Sequence, residues 1–501
     1  MRSLYGRLHR RYGRRLSGQE LGRIVRQRNE ALLQRYPHVR IDRNRNKGAG
    51  DARVIVIGAG FAGLMAADSM PDNLEVTVLE AGGRLGGRVQ TLYDFIPNRI
   101  VEAGAELIGA NHDTWLELAD QFDLDFVELQ HDVYEAEGLE FPVYIHGQRI
   151  PNDELPYIHE ATEQAQQQIA ADAEAIADPF TPWGSGCAPE YDSTSLGEKL
   201  DQYASVGIAR DVLEITYGND NVRPSREQSY LGICSLVRAG GGSQFWDLFE
   251  KFRCSQGNQA LAEKLAERIR ARGNNIVHFK PVTGITMGGD QVMVEVDRER
   301  FFAEYVVLAI PQSQWGAIRF DPPLPPEDFM ISTGPAVKYL SIVSQRFWRW
   351  QGLAPDASSD ELGLTWEATE TQDDADGACF NLSVFAGGTA ARRAERYRGD
   401  PTQLYDPALD TILPGYLANR AGTSLRDWPT EFWTATGYAS PSPGAPGQPG
   451  EIRRCGPNLW VPWYDRLIFA GEHTCFGFFG FMEGALQSGL RASKLVRELV
   501  R

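Results

Sequence analysis

Residues 53–88 read RVIVIGAGFAGLMAADSMPDNLEVTVLEAGGRLGGR. The β-branched run at 54–57 predicts a buried parallel strand, and Gly58, Gly60 and Gly63 set G-x-G-x-x-G at its end. The chain is then expected to turn straight into a helix, with Phe61 and Ala62 in its first turn. Gly58 permits the tight turn, Gly60 lets backbone approach a pyrophosphate with no Cβ in the way, and Gly63 lets helix and strand pack closely. The helix N-terminus faces the anion with free N–H groups and a positive dipole end. A second strand, 75–79, follows Pro71-Asp72-Asn73, and Glu80 ends it 22 residues after Gly58. A carboxylate at that distance accepts hydrogen bonds from a ribose diol. Strand, glycine turn, helix and acid together indicate a dinucleotide, with NAD and FAD both open at this point.

The next nine residues narrow the choice. Residues 80–88 (EAGGRLGGR) fit E-x-x-x-R-x-G-G-R, in which Ala81, Gly86 and Gly87 shape a second turn and Arg84 and Arg88 are two fixed cations. Such a loop can bring N–H groups and guanidinium to the same pyrophosphate from its other side. This stretch resembles the FAD signature of the flavin amine oxidase family, which includes monoamine oxidases, polyamine oxidases and L-amino acid oxidases. G-E-H-T at 471–474 followed by G-F-M-E-G-A at 480–485 is the second signal, and the resemblance covers roughly residues 51–501. It implies FAD held at Gly471, Glu472, Phe481, Met482 and Ala485, with Glu472 on the ribityl chain and the Met482 N–H against the isoalloxazine C2=O. A helix N-terminus suits that place, because negative charge collects there when hydride arrives. Residues 101–109, with Gly104, Ala105 and Glu106, resemble the family's segment leading from the FAD domain towards substrate, and the backbone at Val282 is implied to meet adenine.

Composition sets the bounds. At 501 residues, with 42% hydrophobic content and 11 Trp, the chain fits a globular enzyme of two or three domains. Its apolar runs are too short to span a bilayer, so no transmembrane helix is expected. Six cysteines at 187, 234, 254, 379, 455 and 475 show no C-x-x-C spacing, which reads as free thiols in a reducing, cytoplasmic setting. The net charge of −17 hides an asymmetry: residues 1–50 carry +11 and the remainder −28. An acidic body repels nucleic acid and mildly favours cationic substrates. The basic arm could dock on that body, on a partner or on an anionic membrane surface. It has no apolar stretch after its arginines, so no secretory signal is expected. Ser17 and Glu20 form a capping box ahead of a predicted helix over 18–36.

The fold expected is α/β: a Rossmann-type FAD-binding domain interleaved with an α+β substrate-binding domain of helices and a mixed sheet. The arm would be residues 1–50, the FAD domain 51–109, 255–312 and 455–501, and the substrate domain 110–254 and 313–454. Helices are expected at 113–121, 154–176, 196–217, 241–252 and 258–272. Strands are expected from 275, at 292–296, at 305–311 and at 467 onward, with a final helix to 501. Oligomeric state is left open, a homo-oligomer being compatible.

Lys338 lies in AVKYLSI (336–342), where alternation predicts an apolar face and an inward lysine. The segment resembles the family strand whose lysine reaches flavin N5 through a water and assists reoxidation by dioxygen. Residues 433–438, Trp433 to Gly437 and Tyr438, resemble the segment bearing an aromatic wall. A cysteine stands at the Gly437 position where flavin is covalent in monoamine oxidases, so noncovalent FAD is implied. Tyr438 and Phe481 would be two ring faces in front of the flavin, guiding a neutral amine. No side-chain base is demanded, and no histidine shows metal-ligand spacing. The expected reaction is oxidative deamination of an L-amino acid or related primary amine, with the imine hydrolysed to keto product and ammonia and dioxygen reduced to hydrogen peroxide. Residues 428–444 look like bacterial L-amino acid oxidases. Against that, no arginine for a substrate carboxylate stands at 104–109, and Glu106 could instead pair with a second cationic group. A polyamine or monoamine oxidase is the alternative; a desaturase or a non-catalytic flavoprotein module are readings of another class.

Overall fold

The computed structural model describes residues 3–13, 16–36, 52–129, 131–204, 207–372 and 379–500. The expected Rossmann start forms as read. Strand Ala52–Ile57 is central in a five-stranded parallel sheet, in the order Leu467–Phe469, Tyr305–Leu308, Ala52–Ile57, Leu74–Leu79, Asn275–Val277. Both its neighbours pair in parallel, so both faces must be covered, and Val54 and Val56 are fully buried. Helix Phe61–Asp68 covers one face, and the last helix, Met482–Leu499, packs on it. Contact there is close: a Cβ at Gly489 would lie 2.5 Å from the Ala62 carbonyl oxygen. Gly63 is equally constrained, since a Cβ would lie 1.9 Å from the Gly58 oxygen. Three separate stretches of chain therefore build this one sheet.

A seven-stranded mixed sheet forms the second body, in the order Arg420–Asp427, Ala336–Val343, Phe380–Gly387, Gly363–Glu367, Ser358–Ser359, Val143–Ile145, Gln148–Arg149. The strand bearing Lys338 lies between two partners, and seven of its eight residues are buried. The apolar/polar alternation predicted one buried face; the neighbouring strands and the layers on either side bury both. The fold is thus α/β with an interleaved α+β part.

Helical segments differ from expectation in two places. The helix expected over 196–217 is two, Leu196–Tyr203 and Ile208–Asp220, the second starting after Gly207 at φ +99°. The helix expected over 241–252 is one short turn, Phe245–Leu248, followed by strand Phe252–Cys254. Gly241 and Gly242 take φ +122° and +62° and break any longer helix. The strand at Asn275–Val277 ends before Lys280. Expectations for residues 14–15 and 37–51 lie outside the described residues.

The described part of the basic arm, residues 3–13 and 16–36, docks on the acidic body. Gly18–Arg35 is helical with the Ser17/Glu20 capping box formed, and Arg28 meets Asp113 at 2.9 Å. A helix the sequence reading missed, Leu4–Tyr12, buries Leu4, Tyr5 and Leu8. Its Arg7 donates to the carbonyls of Ala357 (2.6 Å) and Thr365 (2.8 Å) beside Asp356. Among the described residues no helix is long and apolar enough to cross a membrane, and all six cysteines are free thiols.

Candidate active site

One cavity of about 640 Å³ runs between the two bodies, and nearly every residue singled out in the sequence lines it. At one end the parallel strands deliver Gly58, Gly60, Phe61 and Ala62. Glu80 accepts from the Ala59 N–H and the Gly82 N–H, each at 2.8 Å, and so ties the two glycine turns together. The turns touch through backbone alone: a Cβ on Gly87 would lie 3.3 Å from the Gly60 Cα, and one on Gly104 would lie 2.2 Å from the Arg88 oxygen. Ala81, Gly86, Ala105 and Val282 line the same end. Arg84 behaves otherwise than expected. Its guanidinium turns back to the carbonyls of Leu85 (3.0 Å), Val89 (2.7 Å) and Gly87, so it shapes its loop rather than reaching towards an anion.

Arg88 does cross the cavity. It bonds Glu472 at 2.7 Å and the Gly437 carbonyl at 2.9 Å, while Glu472 also takes the Gly480 N–H at 2.7 Å. This clasp joins the second glycine turn to the C-terminal G-E-H-T turn, whose Gly471 needs φ +131°. Met482 opens the final helix, so its N–H is one of those with no intrahelical carbonyl to meet, and Phe481, Met482 and Ala485 line the cavity. Burial pushes the His473 imidazole down to about 4 and keeps it neutral, in accord with a structural place. FAD fits this arrangement: a cradle that any Cβ would fill, two helix N-termini on one cavity, and an acid at the end of the second strand.

The far end holds Lys338, Tyr438 and Phe481. Lys338 Nζ donates to Glu106 at 2.8 Å and to the Glu102 carbonyl at 3.0 Å, and lies 5.3 Å from the Trp366 ring centroid. Glu106 also accepts from Trp366 Nε1 at 3.0 Å, with Arg253 3.7 Å away. It is therefore neither a surface carboxylate nor one awaiting a substrate cation, as the sequence alone allowed; its charge is matched by protein. Tyr438 donates its hydroxyl to the Asp220 carbonyl at 2.7 Å, and Phe481 packs edge-on to Phe249 at 5.4 Å. Gly437 has no room for a side chain, since a Cβ would lie 2.5 Å from the Gly334 oxygen.

Trp433 does not join this end. It lies 43% exposed against Gly82, two residues past Glu80, and so belongs to the opposite end of the cavity. Among the lining residues that escaped the sequence reading are the acids Asp220 and Glu250. Asp220 ends a helix in an unremarkable Asn-Asp-Asn, and Glu250 lies where a helix was wrongly expected. Burial, then the Glu250 charge, hold the Asp220 carboxyl well above the usual carboxylate range, while Ser3 of the arm hydrogen-bonds it.

Comparison with known proteins agrees with this architecture. The family model described as flavin containing amine oxidoreductase matches residues 61–497. The probable flavin-containing monoamine oxidase A of Dictyostelium discoideum is 26% identical, over 89% of this chain and 97% of its own length. Flavin-containing amine oxidase B of Canis lupus familiaris is 24% identical, over 89% and 86%. Among solved structures, cyclohexylamine oxidase from Brevibacterium oxydans IH-35A superposes with a TM-score of 0.75 at 22% identity, covering 90% of this chain and all of the other. The chain therefore belongs to the flavin-containing amine oxidoreductase family, as an FAD-dependent enzyme that oxidises amines.

Proposed function

We propose that the substrate is a primary amine carrying a second positive charge, a diamine or polyamine, in preference to an L-amino acid. The observation that carries this reading is the pair Asp220 and Glu250 at the Lys338 end of the cavity. Each acid is attached to an aromatic wall: Tyr438 is bonded to the Asp220 backbone, and Glu250 follows Phe249, which packs on Phe481. Among the described residues, the cations lining the cavity all have protein partners. Arg84 holds its loop carbonyls, Arg88 holds Glu472, Lys280 holds Glu299 at 2.5 Å, and Lys338 holds Glu106. A substrate carboxylate would meet two acids and no free counter-charge. An ammonium would instead meet two carboxyl groups, and by binding would let Asp220 ionise beside Glu250.

FAD, bound noncovalently because Gly437 offers no sulfur and no space, supplies hydride acceptance from the amine α-carbon and reoxidation by dioxygen to hydrogen peroxide. The chain's own residues prepare for that. Tyr438 and Phe481 wall a dry slot that favours the neutral amine. Lys338, fixed by Glu106 and the Glu102 carbonyl, is placed to hold a water at the flavin. The glycine cradle at Gly58, Gly60 and Gly87 and the N–H of Met482 hold the two ends of the cofactor. On the same footing we assign 51–109, 255–312 and 455–501 to the FAD-binding domain and 110–254 with 313–454 to the substrate-binding domain.

The test is peroxide release from cadaverine, pentylamine, L-lysine and L-phenylalanine. Cadaverine should exceed pentylamine in kcat/KM by about 10- to 100-fold, the worth of one charge-assisted hydrogen bond of about 1.5–3 kcal/mol. Asp220→Asn with Glu250→Gln should erase that ratio. Oxidation of L-phenylalanine ahead of cadaverine would return the reading to an L-amino acid oxidase.

A further inference from the structure

The sequence offers no histidine pair at metal-ligand spacing, because His9 lies far along the chain from His159. The fold brings three residues together outside the FAD cavity. His159 and Glu163 stand one turn apart on one face of helix Leu155–Ala173, and His9 comes from the arm helix Leu4–Tyr12. Each offers one ligand atom, and these atoms lie within 4.8 Å of one another. We propose that His9, His159 and Glu163 bind one borderline divalent cation, zinc by chemistry, which pins the basic arm to the body.

Two imidazoles and a carboxylate are a zinc-type donor set, too nitrogen-rich for calcium or magnesium. Tetrahedral zinc, with bonds of about 2.0–2.1 Å, needs ligand atoms about 3.4 Å apart, so side-chain rotation by about an ångström closes the site. An independent observation points to a ligand. His159 is only 3% exposed, yet its Nε2 has no hydrogen-bond partner among the described residues. A buried polar atom left so is uncommon and calls for an explanation. His9 has supports on both sides: Asp247 lies 3.4 Å from Nε2 and the Tyr5 hydroxyl 3.3 Å from Nδ1. Whichever nitrogen takes the ion, the other is oriented, as ligating histidines are elsewhere. Asp247 or water would complete four-coordination. The same arm helix is capped by Ser3, which reaches Asp220, so the ion would steady one wall of the substrate cavity.

The experiment uses tag-free, full-length holoenzyme, stripped with chelator and titrated with Zn²⁺ by calorimetry and elemental analysis. One zinc per chain is expected, with a higher melting temperature on loading. Zinc affinity should fall at least tenfold in Glu163→Gln and further in His159→Phe, which keeps the ring stack with Tyr5 and His9 while removing the ligand. Co²⁺ should give tetrahedral d–d bands in wild type and none in His159→Phe. Failure of the wild type to retain stoichiometric zinc, or equal binding by a folded, yellow His159→Phe, would overturn the proposal and leave an aromatic stack. None of these readouts depends on the substrate assignment.

Discussion

Replacing Lys338 with Met would break a buried ion pair. Nζ donates to Glu106 at 2.8 Å, and the two side chains are 6% and 2% exposed. Without the lysine, Glu106 keeps the Trp366 N–H at 3.0 Å and a distant Arg253, which is itself engaged by Glu370 at 2.8 Å. Removing one partner of such a pair costs about 3–5 kcal/mol, because the remaining charge stays buried. At about 2 °C per kcal/mol for a large cooperative unit, Lys338→Met should lower the melting temperature by about 6–10 °C. Glu106→Gln alone should cost a similar amount, since it strands the lysine. The double variant removes both charges and should melt within about 4 °C of wild type, the non-additivity of neighbours that share one interaction. Flavin fluorescence on heating reads all four proteins. Strictly additive losses would refute the claim that Glu106 is answered by Lys338 rather than by substrate. In the same proteins, Lys338→Met should retain FAD while its reoxidation by dioxygen slows in stopped-flow; an unchanged rate would remove the lysine from that role.

Two further outcomes follow from the geometry. Gly437→Cys should destabilise the protein by about 1–3 kcal/mol through overpacking against Gly334 and Ala336, and acid precipitation should leave all flavin in the supernatant; a yellow pellet would show that the space exists after all. Burial is the main cause that pushes the Glu102 carboxyl up to about 7, above its unfolded value, so the folded state holds a proton that the unfolded chain has already lost. That contribution is complete below the unfolded value and is lost as pH rises through 7. Wild type should therefore lose about 2–3 kcal/mol relative to Glu102→Gln between pH 5 and 8; parallel stability curves would contradict it.

Much of the cofactor end was legible from residue order. Gly58, Gly60, Gly63 and Gly87 act through backbone geometry that a local pattern specifies, Glu80 acts through a carboxylate held at the end of the second strand, and their structural positions match the pattern. Arg84 was misread because a guanidinium near an anion site and one that braces its own loop share the same sequence signature. Trp433 was misread for a similar reason: being five residues from Tyr438 says nothing about which end of a long cavity a side chain reaches.

The sequence by itself determined the strand–turn–helix that starts the fold, the flavin family, and which residue types surround the cofactor, since these depend on contacts between neighbours along the chain. Only the tertiary structure decided what the charges do. Lys338 meets Glu106 across 232 residues, the acids beside the aromatic walls come from segments with no motif, and His9 reaches His159 only because the arm folds back. A carboxylate or an imidazole takes its role from what burial and packing place within a few ångströms of it, and that distance is fixed by the fold rather than by the order of residues.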